Sequence, residues 1–167
     1  MKWLMIKEIE RKFLVKNHSW RDDVIKMERL RDGLVATTDG RKVRVRVYGD
    51  RSTITIKTKN KNGEKGEFEY EIPEKDAKEI IRNHCGGFQL EKTRYYVGYK
   101  DFIWQVDVYD GLLKGLIIAE IKLNNINDDL PMPAWVGREV TGDSNYKKIS
   151  MLKRKLENDS SLDLLFL

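Results

Sequence analysis

The sequence is poor in the residues that staple or punctuate small folds. It has a single cysteine, Cys85, and three prolines among 167 residues. One thiol excludes an intrachain disulfide and a thiolate zinc cluster. Histidine is scarce as well, and neither His18 nor His84 stands in a metal-ligand spacing such as HExxH. Long hydrophobic runs are missing: Leu116-Ile117-Ile118-Ala119 falls far short of the roughly 20 apolar residues that a spanning helix requires. The opening Met1-Lys2-Trp3-Leu4-Met5-Ile6 is too short for a secretory signal. No Gly-rich phosphate loop, no dinucleotide fingerprint and no G-x-S-x-G elbow occurs, so the common nucleotide and hydrolase folds have no support. Neither sign of charge dominates, with Lys+Arg at 32 against Asp+Glu at 27. Together with four Trp, seven Tyr and five Phe, that balance excludes a disordered basic arm. The length fits one domain, residues 1–167, expected in the cytoplasm with no membrane span.

What is abundant is charge of both signs, 35% of the chain against roughly 25% in an average domain. Much of it lies inside strand-like runs. Alternation at period two covers 7–15, 41–47, 52–59, 66–72, 91–97, 102–109 and 115–123, each rich in β-branched or aromatic residues. Asp39-Gly40, Asn62-Gly63 and Asp110-Gly111 are expected turns. Helices are predicted after Ser19 from a capping-box pattern, from Pro73 to about Cys85 with Gly86-Gly87 as the stop, and over 144–158 as an amphipathic segment. The stretch 124–133 reads as a polar loop, and the tail 162–167 is apolar.

Because side chains at i and i+2 share a sheet face, the charges gather on one side. Glu8, Glu10 and Lys12 fall together on the first run, followed by Arg44 and Arg46, then Lys57 and Lys59, then Glu67, Glu69 and Glu71. Lys92 and Arg94, Asp107, and Glu120 and Lys122 continue the pattern. Two arrangements account for it. One is an antiparallel sheet with a solvated polar face. The other is a closed barrel that gathers those faces into a lumen, where charges must be paired or serve an ionic ligand. In a lumen, Arg and Lys rows suit phosphate oxygens. Carboxylates from Glu8, Glu10 and Glu120 suit a hard cation such as Mg²⁺ or Mn²⁺ bridging to phosphate.

Glu8-Ile9-Glu10-Arg11-Lys12 resembles the ExExK signature of the CYTH superfamily, the triphosphate tunnel metalloenzymes. The likeness continues in order through RVRV, TIKTK, EFEYEIP, EKTRY, WQVDVY, GLIIAEI and WVGREVTGD, over about residues 7–156. It is nearest to the short bacterial members that resemble inorganic tripolyphosphatases. The resemblance implies a mainly β (α+β) fold: a closed eight-stranded antiparallel β-barrel with flanking helices and a C-terminal helix at one tunnel end. It implies Mg²⁺- or Mn²⁺-dependent hydrolysis of a small-molecule triphosphate by a monomer or homodimer that binds no nucleic acid stably.

By position, the resemblance makes Glu8, Glu10 and Glu120 the metal ligands. Lys12, Arg44, Arg46, Lys57, Lys59, Lys92 and Arg94 become the phosphate grip, with Lys122 a further candidate. Lys12, Lys57 and Asp107 are the candidate catalytic residues. Glu67, Glu69 and Glu71 form a supporting acidic row for which pairing with Arg44 and Arg46 and direct chemistry stand as equal alternatives. Lys147 or Lys148 is expected near the phosphates. Two departures stand out. The family's second E-x-E reads Glu120-Ile121-Lys122, and its Q-G-Y-L segment reads Asp32-Gly33-Leu34-Val35. The first keeps open a non-catalytic triphosphate or polyphosphate binder, and within the same fold an adenylate cyclase of class IV type is the other alternative.

Overall fold

The computed structural model describes residues 9–59, 65–125 and 129–163. Strand β1 (Ile9–Val15) leads through a 3-10 turn at Ser19–Asp23 into β2 (Val24–Thr38), β3 (Arg41–Tyr48), β4 (Arg51–Lys59) and β5 (Lys65–Glu71). Helix α1 (Glu74–Asn83) follows, then β6 (Gln89–Tyr99), β7 (Phe102–Asp110), β8 (Ile117–Leu123), β9 (Val136–Glu139) and helix α2 (Lys148–Asp163). All strands join one nine-stranded sheet in the order β5-β4-β3-β2-β6-β7-β8-β1-β9. Every pairing is antiparallel. The mostly β, barrel-like fold with a C-terminal helix is the one expected, with one difference in its closure. Among the described residues there are nine strands rather than eight, and β5 and β9 at the two ends are not paired with each other. The ninth strand is short, and its register on β1 shifts between Phe13 and Val15.

The runs of alternating charge all became strands. Asp39 (φ 48°) and Gly40 (φ 75°) make the tight β2–β3 turn, both in the left-handed region that a two-residue hairpin loop of type I′ demands. The Asn62-Gly63 turn, Glu8 and the tail beyond Asp163 lie outside the described residues. Residues after Ser19 do not form an α-helix. Asn17 Oδ1 accepts hydrogen bonds from the Ser19 backbone N–H and hydroxyl, and after one 3-10 turn the chain enters β2, a fifteen-residue strand. Between Asp110 and β8 the chain makes a short 3-10 turn at Gly111–Leu113 instead of a hairpin loop.

The sheet buries both faces by different chemistry. Outward from β1, β6, β7 and β8 point Phe13, Val97, Trp104, Val106, Ala119 and Ile121, covered by Trp20 of the 3-10 turn and by Trp135 and Val136. Trp104 stacks edge-on with both Phe13 and Trp135, ring centres 5.5 Å apart in each case. Each of the larger aliphatic and aromatic side chains buried here contributes on the order of 1.5–3 kcal/mol. Outward from β3, Val45 packs under Ala77 and Ile81 of α1.

Helix α1 sits close because Gly33 of β2 has no side chain: a Cβ there would stand 2.5 Å from Cys85 Sγ and 2.9 Å from Ile81 Cγ1. Gly33→Ala is therefore expected to lower stability by about 1–3 kcal/mol through overpacking, read as a lower urea midpoint. On the opposite, inner face, Leu90, Tyr109 and Ile118 pack against Met151 and Leu152 of α2, with Leu14 beside them. The C-terminal helix thus seals one end of the inner face with apolar contacts, and most of the charged side chains lie on the remainder of that face.

Candidate active site

Directly opposed residues of antiparallel strands share a face, so the register assembles the inner face row by row. Lys12 of β1 faces Glu120 of β8, which faces Gln105 of β7, which faces Tyr96 of β6. One step along, Glu28, Arg94, Asp107, Ile118 and Leu14 form the next row. Toward the other end of the sheet Asp32 faces Arg46, Arg46 faces Thr53 and Thr53 faces Glu71, while Arg44, Thr55 and Glu69 run alongside. Of the residues singled out in the sequence, Glu10, Lys12, Arg44, Arg46, Lys57, Glu67, Glu69, Glu71, Lys92, Arg94, Asp107, Glu120 and Lys122 share this face. Lys59 closes β4 opposite Lys65.

The deepest part is a linked set of ion pairs. Asp107 is fully buried; its carboxylate accepts a short hydrogen bond from Lys92 Nζ and two from Arg94, Nε at 2.7 Å and Nη2 at 2.8 Å. Arg94 Nη2 also reaches Glu120 Oε2 at 3.2 Å, and Lys12 Nζ donates to Glu120 Oε1 at 2.9 Å. Lys12 stands 3.2 Å from Glu10 as well. A second buried pair joins Arg46 to Asp32, with Arg46 Nη2 at 2.6 Å from Oδ2. The β4–β5 side is more open: Lys57–Glu67 at 3.0 Å, Arg44–Glu69 at 3.7 Å, and Thr55 Oγ1 donating to Glu69 at 2.8 Å. The acidic row does pair with Arg44, but Arg46 takes Asp32 instead.

Cations dominate the electrostatics of this centre. Burial, then the nearby Lys148, lowers the Lys92 ammonium to about 7 against the pull of Asp107. Burial likewise lowers Arg44, aided by Arg46. Burial works against ionising Glu120, yet Lys148, Lys12 and Lys92 hold it well below the usual carboxylate range. Arg46 does the same for Asp32, again against burial. Lys148, at the first turn of α2, is the C-terminal lysine whose charge acts on Lys92 and Glu120. Among the described residues, some polar atoms of this face have no partner: Arg44 Nε, Thr53 Oγ1 and Gln105 Oε1 are buried and make no hydrogen bond there. Buried donors and cations in excess are the equipment for a multiply charged anion.

A family model for the CYTH domain matches residues 6–155. The chain belongs to the CYTH family. The inorganic triphosphatase of Acetivibrio thermocellus is 38% identical over 154 residues, 92% of this chain and 98% of its own. Among solved structures, that of the inorganic triphosphatase NE1496 matches this CYTH chain with a TM-score of 0.70 at 30% identity, over 89% of this chain and 95% of the other. The PH1012 protein of Pyrococcus horikoshii OT3 shares the fold, with a TM-score of 0.52 at 21% identity over 72% and 80% of the two chains.

CYTH triphosphatases depend on a metal, and the residues present fit one. Glu10 and Glu120 come from adjacent strands and converge on a single ammonium, and their oxygens suit a hard divalent cation. Among the described residues no cluster of three His, Cys, Asp or Glu forms a ready cation site, and Glu8 falls outside them. Sequence reasoning missed Asp32 as the partner of Arg46, and Glu28, which accepts a hydrogen bond from Tyr96 Oη at 2.8 Å. Both stand on β2, the strand that was not foreseen.

Proposed function

We propose that this CYTH domain is a divalent-metal-dependent triphosphatase that cleaves inorganic tripolyphosphate to pyrophosphate and phosphate in the cytoplasm. The observation that carries the reading is the buried Lys12–Glu120–Arg94–Asp107–Lys92 network, an excess of cations on the inner face of a CYTH fold. The family and the relatives named inorganic triphosphatases support it.

In this reading Glu10 and Glu120, with Glu8, hold Mg²⁺ or Mn²⁺. When bound, the ion neutralises charge on a phosphate oxygen as the transition state forms. Lys12, Lys92, Arg94, Arg44 and Arg46 grip the phosphates, with Lys57, Lys59 and Lys122 extending the grip. Arg44 has a guanidinium N–H to spare for this. Asp107 and Asp32 act through the cations they orient. A low-lying carboxylate such as Asp107 is a poor base, and its hydrogen bonds are spent on Lys92 and Arg94. Water attacks the terminal phosphorus, the bond to the bridging oxygen breaks, and the cations stabilise the pyrophosphate that leaves. Most of the work is positioning and charge neutralisation, as phosphoryl transfer requires.

Phosphate release from tripolyphosphate, ATP, GTP, thiamine triphosphate and pyrophosphate, each with Mg²⁺ and Mn²⁺, tests the reading. Preferred turnover of tripolyphosphate is expected. Cyclic nucleotide from ATP would make the protein a cyclase, and binding without release would make it a triphosphate-binding protein. A proton signature should accompany binding. With Lys92 near 7, the amine is largely neutral at pH 8, and a triphosphate restores its charge. Calorimetry at pH 8 in buffers of differing ionisation enthalpy should therefore show proton uptake by Lys92 on binding. That contribution is lost near pH 5.5, where Lys92 is already charged and the exchange that remains belongs to the triphosphate's own terminal phosphate, with a pKa of about 6.

A further inference from the structure

The inner faces of β1 and β8 alternate in sign at their contact. Lys12 lies opposite Glu120, and Glu10 lies opposite Lys122. The Lys12 ammonium is held between the two carboxylates, 2.9 Å from Glu120 Oε1 and 3.2 Å from Glu10 Oε1. Burial works against its charge, and Glu120 and then Glu10 more than restore it. These are the same oxygens that the functional reading assigns to a divalent cation. An ion at the usual ~2.0–2.6 Å from them would share oxygens with an ammonium already at hydrogen-bond distance. Two cations so placed repel, most strongly on the Glu120 side, where the carboxylate is buried. Ammonium and metal ion are therefore alternative occupants of one place.

The surroundings decide which occupant wins. A displaced Lys12 would move toward Arg94, Lys92 and Lys148, which already crowd Glu120. Without an anion that move is unfavourable. With a triphosphate lying on those cations, the Lys12 ammonium gains phosphate oxygens as partners, and the Glu10–Glu120 pair is released. We propose that Lys12 is an internal counter-ion that closes the Glu10–Glu120 pair until a phosphate-class anion draws it away, so that anion and divalent cation bind with positive linkage. The coupling is reciprocal by thermodynamic necessity. Lys122, across from Glu10, adds to the barrier facing a bare cation. The inference rests on the assignment of Glu10 and Glu120 as cation ligands.

The test is a titration of Mn²⁺ into metal-free protein, followed by water-proton relaxation enhancement and without substrate or turnover. Circular dichroism and a urea midpoint confirm that each variant is folded, and Lys12→Gln serves as a second neutral side chain should Lys12→Met unfold. The neutral variant is expected to bind Mn²⁺ at least about tenfold more tightly than wild type, because the competing charge is gone. Inorganic sulfate, which complexes Mn²⁺ only weakly, should tighten Mn²⁺ binding to wild type beyond a chloride control of equal ionic strength. It should leave the neutral variant unchanged. Equal or weaker Mn²⁺ binding in the neutral variant, or no effect of sulfate on wild type, overturns the counter-ion role. Adding Glu10→Gln to the neutral variant separates this from the ligand assignment. Loss of the tenfold gain supports both, whereas a gain that survives removes Glu10 from the cation site and overturns the assignment on which the proposal stands.

Discussion

Asp107→Asn should destabilise the fold by roughly 3–5 kcal/mol, the scale of removing one partner from a buried ion pair. The carboxylate is fully buried and is the shared acceptor for Lys92, 1% exposed, and Arg94, 9% exposed. Asparagine keeps the shape but offers one acceptor oxygen and no charge, so two buried cations lose their counter-ion. Urea unfolding at constant slope is the measurement, a fall in midpoint being the loss of stability. The loss should depend on pH with a definite sign. Lys92 is depressed in the folded state, so above its folded value the unfolded chain binds more protons and stability rises with pH. Removing Asp107 depresses Lys92 further, so the variant should suffer most at pH 6 and least near pH 9, where the amine is neutral in either protein. Glu139→Gln, which breaks the exposed pair with Arg11, is the contrasting case, at about 0–1 kcal/mol. A comparable loss in both would remove the special standing of the buried cluster.

That cluster was only half visible in the sequence. Runs such as RKVRVRV and STITIKTK announce themselves because one face is mostly β-branched and the other is polar. Strand β2 does not. Its outward side chains include the exposed Met27, Arg29 and Arg31, while its inner face mixes Glu28 and Asp32 with Leu30 and Leu34. Register shifts between Val24 and Lys26 and between Leu34 and Ala36 break the period further. Long-range packing, not pattern, makes it a strand, flanked on both sides by β3 and β6. Asp32 is therefore absent from any list built on alternation. Its segment departs from the family's Q-G-Y-L by lacking the tyrosine, and Asp32 within it is the residue that fixes Arg46.

Register is the other illegible quantity. Period two places Glu67, Glu69 and Glu71 on one face but cannot say which cation each meets. The observed partners are Lys57 for Glu67, and Thr55 with Arg44 for Glu69. The same strand faces also turn apolar toward one end, at Leu90, Tyr109 and Ile118. The reason lies outside the sheet: these residues meet Met151 and Leu152 of α2.

Glu10→Gln separates chemistry from folding more cleanly than any change to the buried cluster. The Glu10 side chain is 39% exposed and its contact with Lys12 is 3.2 Å, so its loss should move the urea midpoint little. Turnover of tripolyphosphate should nevertheless fall by roughly 10²–10³-fold, the scale of losing one preorganised electrostatic contact to a transition state, with kcat bearing more of the loss than KM. Lys122→Glu is its mirror image. It sets a second carboxylate directly across from Glu10 and restores the acidic pair that the family carries there. Metal affinity should rise, because an oxygen donor replaces a repelling ammonium. Stability should change little, since Lys122 is exposed. Full activity in Glu10→Gln would move the metal off β1. Unchanged or weaker metal binding in Lys122→Glu would show that the lysine does not guard the cation's place.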